Sequence, residues 1–141
     1  MNILFLCTGN SCRSQMAEGW ACHLHGDKFE AHSAGVKPVE LHPLAVRVMK
    51  EAGVDISAQK SKPVSALKGL DFDCVITVCD SARESCPLFP GKTKVIHHDF
   101  EDPAAAKGSE EEVLAVFRRV RDQIKDFVSG LPEHLSDRRA S

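Results

Sequence analysis

Apolar, β-branched runs take turns with amphipathic stretches along this chain, and that alternation restricts its fold more than any other feature. Asn2-Ile3-Leu4-Phe5-Leu6 has no polar alternation, which predicts a strand covered on both faces. From Ser14 to His25, residues Met16, Ala17, Trp20, Ala21 and Leu24 share one helical face, and Gly26 follows as a stop. A weaker strand is expected over Phe29 to Ser33. Pro43 then suits the first turn of a helix that buries Leu44, Val48, Met49 and Ala52 and ends at Gly53. Residues 57–69 read as loop and a short helix. Cys74 to Val78 is a β-branched strand, and Val95 to His98 a short fourth one. Ser109 and Glu112 fit a capping box for a last helix with the apolar stripe Val113, Leu114, Phe117, Val120, Ile124, Phe127 and Val128. Gly130 and Pro132 close it, and the tail over 131–141 is expected to fray. Such alternation predicts an α/β domain, a parallel sheet with right-handed crossovers and helices on both faces.

Composition narrows the function classes. With 141 residues the chain is one domain, and a chain this long buries roughly two thirds of its unfolded surface. A formal net charge of −2 argues against nucleic acid, which selects a basic surplus. No apolar run reaches membrane-spanning length. The opening MNILFLC lacks the basic region of a signal peptide, so a cytoplasmic location is expected. In that reducing compartment the six cysteines point to metal binding or redox chemistry before static disulfides.

In open parallel sheets, ligands bind beyond the carboxyl ends of the strands. Cys7 follows the first strand, Ser33-Ala34-Gly35 the second, Cys79 the third, and Asp99 and Asp102 the fourth. The stretch after strand one, CTGNSCRS, has the composition of an anion nest. A strand-to-helix loop aims backbone N–H groups into one concavity, and the helix dipole adds positive charge. Gly9 and Asn10 tolerate the left-handed backbone this requires, and Arg13 offers a planar fork for two oxygens of a tetrahedral anion. The oxyanion-binding set is therefore Thr8, Gly9, Asn10, Ser11, Cys12, Arg13 and Ser14. A Walker-type loop is excluded, because no Gly-Lys-Ser/Thr ending is present.

Cys7 would look into this nest. Alone, a cysteine at a strand end is as often inert packing. With Gly9, Arg13 and Ser14 at these offsets it reads as a nucleophile, with Arg13 as the oxyanion clamp. Lowering its pKa from near 8.5 to about 6 would raise its ionised fraction from ~3% to ~90% at neutral pH. Ser14 is expected to cap the first helix or to bond the thiolate. Cys22 and Cys74 read as packing residues. Asp102, pinned by Pro103, stands where a departing oxygen would need a proton, with Asp99 and Glu101 as lesser candidates. His97 and His98 read as strand-end residues. Arg118, Arg119 and Arg121 read as a solvated helix side facing Asp122 and Asp126.

Cys7-x5-Arg13-Ser14 directly after an N-terminal strand resembles the low-molecular-weight tyrosine phosphatase superfamily. CTGNSCRSQMAEGW, residues 7–20, resembles its thioredoxin-coupled arsenate reductases, and the resemblance spans residues 2 to about 128. It implies a three-layer fold with a four-stranded sheet in the order 2-1-3-4 and Asp102 as general acid. It also implies a relay in which arsenate bound at Cys7 is reduced by Cys79 and Cys86. No bound cofactor is expected. Thioredoxin would be the electron donor, phosphate or sulfate would act as substrate analogues, and the protein would be a monomer. Arsenic(V) accepts two electrons from thiols whereas phosphate does not, so a reductase needs further cysteines. Cys79 and Cys86, seven apart, would lie about 10 Å apart along a helix, so joining them requires the segment to unwind. Six intervening residues is not a usual zinc spacing.

Two other readings stay open. A tyrosine phosphatase of this superfamily typically has aromatic residues after Asp-Pro, where this chain has Ala104-Ala105-Ala106 and no tyrosine anywhere. A redox-sensing binding protein would trap Cys7 with Cys12. Relatives that bind potassium do so with ligands matching Asn10, Glu18 and Ser33, plus an aspartate whose place falls at Lys62. The Lys62 ammonium is expected to mimic the cation and neutralise Glu18, so no metal and little potassium stimulation are expected.

Overall fold

The computed structural model describes residues 1–67, 69–79 and 93–131. Four parallel strands form one sheet: β1 (Asn2–Cys7), β2 (Glu30–Gly35), β3 (Cys74–Thr77) and β4 (Lys94–His97). Their order is β2-β1-β3-β4, as expected. Side chains along a strand alternate between faces, yet Ile3, Leu4, Phe5 and Leu6 are all buried. Both faces of β1 are therefore covered. In register, Cys7 lies opposite Gly35, and Leu6 opposite both Ala34 and Thr77. The carboxyl ends of neighbouring strands consequently share one edge.

Three helices complete the described fold: α1 (Arg13–His25), α2 (Pro43–Glu51) and α3 (Glu110–Ser129). Single 3-10 turns occupy Val64–Leu67 and Pro103–Ala105. α1 packs on β1, β2 and α3, and α2 contacts both other helices. The α3 stripe buries Leu114, Phe117, Val120, Ile124 and Val128, each worth about 1.5–3 kcal/mol when removed from water. Ser109 caps α3 by accepting the Glu112 N–H at 3.2 Å, and three glutamates in the first turn complement its dipole. α2 begins at Pro43 and ends at Glu51, and the chain turns away two residues on at Gly53, whose φ of +88° suits a residue without Cβ. Among the described residues no helix is long and apolar enough to cross a membrane.

Several local expectations are corrected. β1 includes Cys7, β2 runs on through Gly35, and α1 starts at Arg13. Ser14 is thus the second residue of α1, not its cap; Cys12 holds the cap position without a side-chain bond. Cys22 is exposed, while Cys74 is buried as expected. Arg118 does not simply face solvent, because it forms a bidentate pair with Glu51 at 2.9 Å for both bonds. Arg121 donates to the Val48 carbonyl at 2.9 Å, so both arginines fasten α3 to α2. Leu131 is buried, although it was assigned to the frayed tail. Residues 132–141 lie outside the described residues.

Candidate active site

The loop after β1 is built from backbone. Val36, Lys37, Val39 and His42 send their N–H groups to the carbonyls of Cys7, Thr8, Gly9 and Ser11, at 2.8–3.1 Å. Gln15 Nε2 donates to the Asn10 carbonyl at 3.0 Å, and Met16 N–H to that of Cys12 at 2.9 Å. Six consecutive carbonyls are therefore held by the residues around the loop. Among the described residues, no protein acceptor takes the N–H groups from Gly9 to Ser14. Carbonyls engaged outside and amides left unclaimed are what an anion nest requires. Asn10 supplies the turn with a φ of +51°. Gly35 is equally necessary, since a Cβ there would lie 2.7 Å from the Thr8 carbonyl oxygen and 3.0 Å from the Asn10 nitrogen.

Arg13 opens α1, whose first turn carries no acidic residue to compete for an anion. Its side chain is 11% exposed and its Nε is buried without a partner. One terminal nitrogen donates to the Phe100 carbonyl at 3.1 Å, and the other stands 3.7 Å from Asp102 Oδ2. A buried guanidinium N–H without an acceptor is costly unless a ligand accepts from it. Asp102 caps the Pro103–Ala105 turn by accepting the Ala104 N–H on Oδ1 at 3.0 Å. Its carboxyl is 43% exposed, and Oδ2 is left to face the clamp. Ser14 is fully buried and its hydroxyl oxygen accepts from Asn10 Nδ2 at 2.8 Å. Its own proton is therefore left for a partner in the nest.

Cys7 and Cys79 are brought together. Both are buried, and Cys79 is near enough to Cys7 to oppose its ionisation. Thr8 Oγ1 lies 3.1 Å from Cys79 Sγ. The contact with Cys79, then burial, push the Cys7 pKa well above the ordinary thiol range; Arg13 and the Thr8 N–H pull it down. This reverses the expected depression toward 6. The cause is tertiary: two sulfurs in contact cannot both ionise, so each opposes the other's thiolate. Cys12 is pushed up to about 12, chiefly by burial, and stays a thiol at neutral pH. Cys86 lies outside the described residues.

The cation-mimic expectation is corrected. Lys62 Nζ donates to the Lys60 carbonyl at 2.9 Å, and no ion pair joins it to Glu18 among the described residues. Glu18 Oε1 accepts instead from Ser33 Oγ at 2.6 Å. The Asn10 side-chain oxygen already accepts from the Lys62 N–H at 2.9 Å and Gln15 Nε2 at 3.2 Å. These donors occupy the oxygen that a cation would need. No group of three or more His, Cys, Asp or Glu able to hold a metal occurs among the described residues.

The sequence reading missed the holding segment of residues 36–42, the Thr8–Cys79 contact, and Gln15 with Gln59. Gln15 gave no signal in the sequence, because its burial beside the nest is set by tertiary packing.

Known proteins agree with this geometry. Residues 2–141 match the family described as low molecular weight phosphotyrosine protein phosphatase. An arsenate reductase of Bacillus subtilis is 51% identical over 122 residues, covering 86% of this chain and 88% of that protein. One from Bacillus licheniformis is 49% identical over 131 residues, covering 93% and 94%. A solved arsenate reductase in a phosphate-binding state superposes with a TM-score of 0.73 at 37% identity, covering 92% of this chain and 95% of that one. A parallel sheet of this order, a Cys7–Arg13 anion loop and these relatives together mean that the chain belongs to the low molecular weight phosphotyrosine protein phosphatase family, grouped within it among proteins named arsenate reductase.

Proposed function

We propose that this protein reduces arsenate to arsenite through Cys7, Cys79 and Cys86, with thioredoxin restoring the dithiol. The observation that carries the reading is Cys79 Sγ lying 3.1 Å from the hydroxyl of Thr8, the residue after Cys7, which puts a second electron-donating thiol beside the nucleophile. Arsenate binds in the nest against Arg13. The Cys7 thiol passes its proton to an arsenate oxygen as its sulfur attacks arsenic, and the departing hydroxide leaves as water with a proton from Asp102. Once Cys7 is bonded to arsenic it carries no thiolate charge, and the obstacle to ionising Cys79 falls away. Cys79 then attacks the Cys7 sulfur. The sulfur–arsenic bond breaks with its electron pair remaining on arsenic, giving arsenite and a Cys7–Cys79 disulfide. Cys86 attacks Cys79, releasing Cys7 as thiolate and forming Cys79–Cys86. Thioredoxin's dithiol reduces that bond and carries the oxidation away.

A Cys7–Cys12 sensor is separated from this reading by mapping the disulfides after arsenate turnover, since it would leave Cys79 and Cys86 as thiols. Ala104 and Ala105 leave the rim beside Asp102 without an aromatic wall, which disfavours a phosphotyrosine ring. The test is arsenate-dependent NADPH oxidation with thioredoxin and its reductase. Cys7→Ser, Cys79→Ser and Cys86→Ser should each abolish multiple turnover, and Cys86→Ser should still release one arsenite per protein. Efficient hydrolysis of phosphotyrosine peptides without arsenate turnover would overturn the reading.

A further inference from the structure

We propose that Gln15 and Gln59 are positioning residues that set the direction of hydrogen-bond donation in the nest, and so its oxyanion affinity, without touching the anion. The proposal rests on the reading of residues 7–14 as an oxyanion site. Gln15 is fully buried. Its Nε2 donates to both oxygens of Asn10, to the carbonyl at 3.0 Å and Oδ1 at 3.2 Å. Gln59 repeats the pattern one step back, with its Nε2 donating to the Gln15 carbonyl at 3.0 Å and to Gln15 Oε1 at 2.8 Å. Asn10 Nδ2 continues to Ser14 Oγ at 2.8 Å. The chain thus runs from Gln59 through Gln15 and Asn10 to Ser14, every amide giving its protons in the same sense.

Two backbone groups fix that sense. The Asn10 carbonyl can only accept, so the nitrogen of Gln15 must face it. The Lys62 N–H can only donate, so Asn10 must turn Oδ1 to it at 2.9 Å and Nδ2 to Ser14. Ser14 then has a lone pair filled and its proton directed elsewhere. Reversing the chain would make Ser14 donate to Asn10 and withdraw that proton from the nest. Gln15 also holds the carbonyl of Asn10, the residue with left-handed backbone on which the loop turns. Gln59 reaches across from the segment that carries Ser61, whose hydroxyl donates to the Gly9 carbonyl at 3.1 Å.

Gln59→Glu keeps the shape but replaces both donors with acceptors, which favours reversal of the Gln15 amide against the demand of the Asn10 carbonyl. Gln59→Met removes the donors without favouring that reversal. The readout is protection of Cys7 from alkylation by inorganic phosphate, which needs no arsenate turnover. Gln59→Glu should raise the half-protecting phosphate concentration about tenfold and Gln59→Met about threefold, the scale of one hydrogen bond or less. The KM for arsenate should rise by the same factors while saturated kcat moves less. Unchanged phosphate protection in both variants, whatever their thermal stability, overturns the proposal and leaves the oxyanion reading standing. If Gln59→Glu fails to fold, Gln59→Met alone decides the matter. Absence of phosphate protection in the unaltered protein sinks the oxyanion reading and this proposal with it.

Discussion

The anion loop and the acid loop meet at Arg13 but are made of different material. Residues 7–14 are all buried or half-buried, and the carbonyls of residues 7–12 are tied to neighbours one by one. Residues 98–106 are mostly exposed; His98 and Phe100 N–H groups and rings tie their start to the end of β3 and Phe127, and beyond them stand one short turn, one capping bond and the Phe100 carbonyl held by Arg13. The difference matches the tasks proposed for them. A nest must hold several donors at fixed positions and costs no reorganisation when the anion arrives. An acid must recover its proton from water after each cycle, which exposure allows.

Four measurements can break or sharpen this contrast. Asp102→Asn should cut arsenate reduction about a hundredfold, the usual share of a general acid, while phosphate protection of Cys7 persists. Loss of phosphate protection would mean that the acid loop also builds the nest. Gly35→Ala should destabilise the fold by about 2 kcal/mol and weaken phosphate binding, because the new methyl group meets fixed backbone. An unchanged unfolding midpoint in denaturant would show that the loop yields more than its bonding implies.

The third concerns pH. Buried Cys12 keeps its proton to about pH 12, whereas an unfolded thiol loses it near 9. Above pH 9 the unfolded chain therefore binds fewer protons, and stability should fall as pH rises toward 12, by up to about 1.4 kcal/mol per pH unit. Cys12→Ala should flatten that slope, as followed by urea unfolding at several pH values. The smallest effect should be that of Arg119→Ala. Arg119 joins the acid loop to α3 only by an exposed 2.7 Å pair with Glu101. Its loss should change stability by less than about 1 kcal/mol in the same unfolding assay. A larger effect would mean that the acid loop is more firmly anchored than its exposure suggests.

Elements and edges were legible because local patterns encode them. The unbroken apolar run Ile3 to Leu6 shows a strand covered twice, and Ser109 with Glu112 marks the start of α3. CTGNSCRS announces a nest because glycine, asparagine and arginine are residues a backbone cradle needs. Partnerships across the chain were not legible. The Lys62 N–H donates to Asn10 while its ammonium goes to the Lys60 carbonyl and not to Glu18, choices made across the fold. Arg118 finds Glu51 on another helix, not a neighbour on its own.

What the chain determined by itself is therefore the parallel sheet, the line of reactive residues along its carboxyl edge, and the choice of Cys7 and Arg13. These follow from short-range periodicity and from rules of chain connection. What only the tertiary structure decided is the electrostatic state of those residues. The Cys7 pKa rises because Cys79 folds against it, and Arg13 keeps an unclaimed N–H because nothing buried around it accepts. Energies of that kind depend on which groups lie a few ångströms away through space, a distance that sequence separation does not measure.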